Sequence, residues 1–102
     1  MKQLKTFCEK IAFICRVSYE VYTSECPNSE EICEQLDESV YQIFYKMKSK
    51  FSLHSENLEL FQEFFWDCLK ETEEWQTSVE KFGKDFDGTK DFLEECFNNI
   101  GK

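Results

Sequence analysis

Apolar residues recur at steps of three and four along almost the whole chain, the spacing of one face of an α-helix. In the first segment Leu4, Phe7, Cys8, Ile11, Ile14, Cys15 and Ser18 share a face that Val21 and Tyr22 extend. Thr23 to Ser29 then holds the only proline and several cap-type residues, so a helix boundary is expected there. The second segment carries Ile32, Cys33, Leu36, Val40, Ile43, Met47 and Phe51 in the same rhythm. Asn28 or Ser29 suits its start. Glu30 and Glu31 complement the positive end of its dipole, and Lys46, Lys48 and Lys50 the negative end. Ser52 to Ser55 reads as the next turn.

The third segment is the most regular. Leu58, Phe61, Phe65, Cys68, Thr72, Trp75, Val79, Phe82 and Phe86 alternate threes and fours without interruption. Ser55 is the expected N-cap and Gly83 the expected end of the regular helix. After Gly88 a short segment bears Phe92, Leu93, Cys96, Phe97 and Ile100, with Thr89 as cap and Gly101 as stop. No segment alternates with period two. The pattern therefore predicts one all-α domain over residues 1–102. Its form is a small antiparallel helical bundle of three long helices plus a short C-terminal helix, joined by short turns.

Composition sharpens this picture. Three Gly and one Pro are too few for a turn-rich β fold, and eleven Phe give folding ample surface to bury. Six cysteines in 102 residues read as a framework of three disulfides, which persists in an oxidising compartment. A cytosolic protein with reduced thiols is the competing reading. The expected location is extracellular, with the chain read as a mature or expressed form whose signal peptide is absent and whose Met1 is added. No run is long and apolar enough to span a bilayer. The net charge of −9 disfavours nucleic acid and anionic membranes as partners.

The cysteines have a spacing of their own. Cys8 and Cys15 are seven residues apart, as are Cys26 and Cys33, which on a helix is about 10.5 Å along one face. Two antiparallel helices so marked would be joined by two rungs, Cys8 to Cys33 and Cys15 to Cys26, leaving Cys68 to pair with Cys96. The centre those rungs imply lies near Glu20, whereas the turn residues come a few positions later. Six cysteines allow fifteen connectivities, and the pairing stays open at this point. A zinc site fits poorly, because thiolates two helical turns apart cannot reach one ion.

Little in the chain suggests catalysis. The single histidine, His54, sits in an expected turn with no motif around it and reads as a surface or capping residue. No glycine-rich phosphate loop is present, and no cofactor is implied. Laid on a twelve-residue calcium loop, Asp85, Asp87, Asp91 and Glu94 fall at positions three, five, nine and twelve. Gly83 stands where the first carboxylate belongs and Lys90 where an aliphatic residue does, so an acidic loop capping the last helix is the expected reading.

Two surface features suggest a partner. Glu56, Glu59, Glu63, Asp67, Glu71 and Glu74 form an acidic stripe on the third segment, either a solvated face or a dock for a basic partner. The first helix carries Lys2, Lys5, Lys10 and Arg16, cations suited to complement the stripe either within the bundle or between copies. Some aromatic and apolar residues also fall outside the core stripes: Trp66, Phe13 with Val17, and Tyr41 with Tyr45. Exposed aromatics of this kind build binding hot spots, unless another helix or a second copy covers them.

The stretches LKTFCEKIAFIC (Leu4 to Cys15), CPNSEEIC (Cys26 to Cys33), WDCL around Cys68 and FGKDFDGTKDFLEEC ending at Cys96 resemble the secreted, cysteine-rich helical domain of unknown function expanded in nematodes. The similarity spans most of the chain, though members typically carry more cysteines. It implies an extracellular protein and no catalytic residues. Together these observations lead to the expectation of a secreted, non-enzymatic protein-binding module, with a carrier of a lipid or small apolar ligand as the alternative.

Overall fold

The computed structural model describes residues 2–24, 27–83, 86 and 88–101, with the side chain of Lys2 outside the description. Five helices follow one another: α1 Lys2–Thr23, α2 Ser29–Lys50, α3 Leu58–Glu71, α4 Glu73–Phe82 and α5 Gly88–Ile100. There is no strand among the described residues. The boundaries of α1 and α2 fall where the cap-type residues sit, and Glu30, Glu31, Lys48 and Lys50 complement the α2 dipole as expected. None of the described helices is long and apolar enough to cross a membrane.

One long helix of the expected three is two. The regular apolar rhythm of the third segment is broken at Thr72, whose backbone is extended (φ −68°, ψ 143°). The Thr72 hydroxyl donates to the Leu69 carbonyl at 2.7 Å and accepts the Trp75 backbone N–H at 3.3 Å. A single side chain thus closes α3 and caps α4. Gly83 ends α4 with φ 63°, a conformation glycine adopts without steric cost.

The turn between α2 and α3 differs in detail from the expectation. Ser52 takes the left-handed conformation (φ 52°), and the Leu53 N–H bonds back to the Lys48 carbonyl at 2.9 Å while its side chain buries. That is a Schellman-type stop. Asn57, not Ser55, occupies the N-cap position of α3. Its amide ties the turn together by accepting from the His54 N–H (2.8 Å) and donating to the Ser52 carbonyl (3.2 Å).

The helices run up, down, up and down, with α3 and α4 forming one bent column. Cys33 near the start of α2 lies 3.5 Å from the Ser18 carbonyl near the end of α1, so these two are antiparallel. α3 and α4 run beside α1 in its own direction: Cys8 meets the Phe65 carbonyl, Arg16 meets Glu74 and Tyr19 meets Phe82. α5 returns with Phe97 between Phe44 and Phe65, both ring centroids 4.8 Å away. At its end Gly101 lets the chain approach Leu58, where a β-carbon would meet the leucine side chain at 2.6 Å.

The aromatics form two clusters inside the bundle. One joins Phe44, Phe61, Phe65 and Phe97 with Phe51 at its edge. The other stacks Tyr19, Trp75, Phe82 and Phe86 under α4. Burying one such ring contributes on the order of 2 kcal/mol or more, so these clusters dominate the fold's stability.

Candidate functional site

Helix α3 has two apolar faces. Phe61, Phe65 and Leu69 point into the core, whereas Leu60 and Phe64 remain 58% and 51% exposed. Glu63, Phe64 and Asp67 lie three, four and seven residues after Leu60, which makes them its surface neighbours on one side of the helix. Glu59, Glu63 and Asp67 are exposed, and among the described residues they form no salt bridge. The result is an apolar pair framed by unneutralised acids.

This face leads into a groove where α3 gives way to α4. Glu71, Thr72, Glu73 and Glu74 line it from one side; Lys5, Glu9, Lys10 and Phe13 of α1 line it from the other, around a volume of about 600 Å³. Phe13 is 49% exposed, with the Arg16 guanidinium 5.4 Å from its ring centre. Part of the complementarity between α1 and the acidic stripe falls within the bundle: Arg16 Nε donates to Glu74 at 2.5 Å. Arg16 also reaches Glu20 at 3.4 Å, and Lys81 reaches Glu20 at 3.2 Å. The Lys81 hydrogen bond, then the charges of Lys81 and Arg16, hold the Glu20 carboxyl below the usual range. Lys5 pairs along its own helix with Glu9 at 3.9 Å.

The other expected surface residues are distributed unevenly. Tyr45 on α2 is 57% exposed, and Val17 on α1 is half-buried. Trp66 is not the exposed aromatic its polar neighbours suggested. It is half-buried, edge-on to Phe65 at 5.4 Å and 6.4 Å from Phe97, because α5 packs on that side of α3. Tyr41 likewise leans on Phe92 at 5.6 Å, and burial raises its phenol pKa, with Cys96, Glu95 and Asp37 adding to the effect. Leu60 and Phe64 went unnoticed in the sequence because each stands one place before a core residue. Their four-residue spacing beside the acids was the available signal.

A second concavity of about 320 Å³ opens between α1, α2 and the start of α5. Ile14, Tyr19, Val40 and Phe92 give it apolar walls; Cys15, Cys33, Ser18 and Asp37 supply its polar atoms. Burial, then the charge of Glu34, raises the Asp37 carboxyl above its ordinary value.

The cysteines do not sit as the two-rung hairpin requires. Among the described residues Cys8, Cys15, Cys33, Cys68 and Cys96 carry free thiols; Cys26 lies outside the description. Cys33 faces Ser18, ten residues up α1 from Cys8, or about 15 Å along the axis. A disulfide needs α-carbons within about 7 Å, so the Cys8 to Cys33 rung is excluded. Cys8 instead looks across to α3, where its thiol meets the Phe65 carbonyl at 3.8 Å. Cys68 and Cys96, the latter fully buried on α5, are free thiols rather than the expected pair. Burial, with Cys96 and Asp37 nearby, pushes the Cys15 thiol up to about 12; burial with Glu95 and Asp37 does the same for Cys96. Such thiols stay protonated at neutral pH and make poor nucleophiles.

His54 is exposed in the turn before α3, where its Nδ1 accepts the Glu56 backbone N–H at 3.3 Å. Of the calcium-loop residues, Asp85 and Asp87 lie outside the described residues. Asp91 and Glu94 are exposed on α5, which is already helical from Gly88, where that register needs an open loop. No group of three or more metal-ligating side chains converges among the described residues. Comparison of the chain with family models, curated proteins and solved structures finds no match, so the nematode-domain resemblance gains no support there.

Proposed function

We propose that the chain is a secreted, disulfide-stapled, non-enzymatic module that docks a partner protein through the outer face of α3. The observation that carries this reading is the exposed pair Leu60 and Phe64 set among Glu59, Glu63 and Asp67. Apolar contacts supply affinity at the centre of such a face, and a surrounding ring of one charge selects a partner of the other sign. With 21 acids against 12 Lys and Arg, the complement is a basic surface with an apolar ridge. The groove beside Phe13 extends the face and offers a place for a projecting side chain. The six cysteines and the resemblance to secreted helical domains support the extracellular part of the proposal.

A synthetic amphipathic helix with one leucine face and one lysine face serves as the probe. Fluorescence anisotropy should show binding that weakens with salt. The Leu60→Ala/Phe64→Ala double variant should lose at least about tenfold in affinity. Binding left intact by both that variant and Glu63→Gln/Asp67→Asn sinks the proposal.

The cavity between α1, α2 and α5 favours a second reading, a carrier of a compact apolar molecule. Its volume of about 320 Å³ lies at the low end of small-molecule sites. An environment-sensitive naphthalene dye should enter it and be expelled by Val40→Phe; absence of uptake removes the carrier.

A further inference from the structure

We infer that Cys8 and Cys68 form a disulfide that ties α1 to α3 across the core. The inference starts from where the side chains are. Cys8 is fully buried on the inner face of α1, with its sulfur 3.8 Å from the Phe65 carbonyl of α3. Cys68 stands three residues after Phe65, one turn along the same helix, and is half-buried against the core. Cys68 lies near enough to add to the upward push that burial gives the Cys8 thiol. The helices that carry them, α1 and α3, already pack side by side.

The chemistry sets when the bond forms. Two S–H bonds break and one S–S bond forms, releasing two protons and two electrons. A low-molecular-weight disulfide is the oxidant: it accepts both electrons, passes through a mixed disulfide with one cysteine and leaves as two thiols. The attacking species is a thiolate, and in the folded chain burial together with Cys68 holds the Cys8 thiol well above its ordinary value. Oxidation therefore belongs to the folding chain, before α1 closes over the core. Once made, the bond is sheltered from reductant by the same burial. The pairing rests on the oxidising-compartment part of the proposed function and on no partner.

The test uses the full chain refolded from the reduced, denatured state in a buffer of oxidised and reduced small thiols. Free thiols are then blocked at acid pH and the protein is cut with trypsin. Lysine and arginine positions place Cys8 in the peptide 6–10 and Cys68 in 51–70, with no other cysteine in either. These two peptides should appear joined. The Cys8→Ala and Cys68→Ala single variants and their double variant should melt alike, each more than about 10 °C below the oxidised parent. Peptide 6–10 joined to any other cysteine, or found blocked as a free thiol in the oxidised protein, overturns the pairing. The thiol state of protein taken directly from its cells judges the compartment separately: Cys8 and Cys68 joined by refolding but reduced in the cell would leave the pairing standing and defeat secretion.

Discussion

Phe64 and Phe65 are chain neighbours of identical chemistry, yet one is 51% exposed and the other fully buried. A helix turns about 100° per residue, so adjacent positions meet different surroundings. Phe65 holds the core together through Phe44 and Phe97, whereas Phe64 stands beside Glu63 and Asp67 with its ring in water. The abundance of phenylalanine in this chain therefore mixes two populations. One makes the fold, and the other stands on its surface.

The contrast is open to direct attack. Phe65→Ala should cost about 3–5 kcal/mol, because it opens a cavity where three rings meet. Phe64→Ala should change stability by no more than about 0.5 kcal/mol. Urea titrations of the two variants decide the matter, and equal losses would erase the distinction between the faces. Next in size is Thr72→Ala, which removes the hydroxyl shared by α3 and α4; a loss of about 1 kcal/mol is expected by the same titration. An unchanged midpoint would show that packing alone fixes the break.

The smallest effect belongs to Asp37, beside the second concavity, and depends on pH. Burial raises the folded-state pKa of Asp37, so over that window the folded chain binds more protons than the unfolded one. Stability attributable to Asp37 must then fall as pH climbs from the ordinary carboxylate value through the raised one. Asp37→Asn should therefore melt above the parent at pH 7, and the gap should close as pH drops below that window. A parent and Asp37→Asn variant that track each other at every pH would reject the assignment.

Most of the architecture was legible in the three-four rhythm: the ends of α1 and α2, the stop at Gly83 and the short last helix. The break at Thr72 was not, because Thr72 stands four residues after Cys68 and three before Trp75, and the rhythm passes through it unaltered. Only the doubled use of its hydroxyl ends one helix and begins another. Trp66 was misplaced for a related reason. Its sequence neighbours are polar, but the helix that covers it arrives some thirty residues later. The cysteine spacing misled because it was read between adjacent segments, whereas Cys8 faces the Phe65 carbonyl of α3, a helix that reaches α1 only in three dimensions.

The Thr72 junction also divides the bent column into parts that need not open together. α4 has ten residues, fewer than the roughly 12–15 an isolated helix needs to hold its shape in water. It is ordered by Trp75, Phe82 and the Arg16–Glu74 and Glu20–Lys81 bridges that dock it on α1. Those bridges are partly exposed and weaken with salt. Native-state amide exchange should accordingly find α4 opening as its own cooperative unit while α3 stays closed, so that Leu60 and Phe64 keep their place on an ordered helix during that excursion.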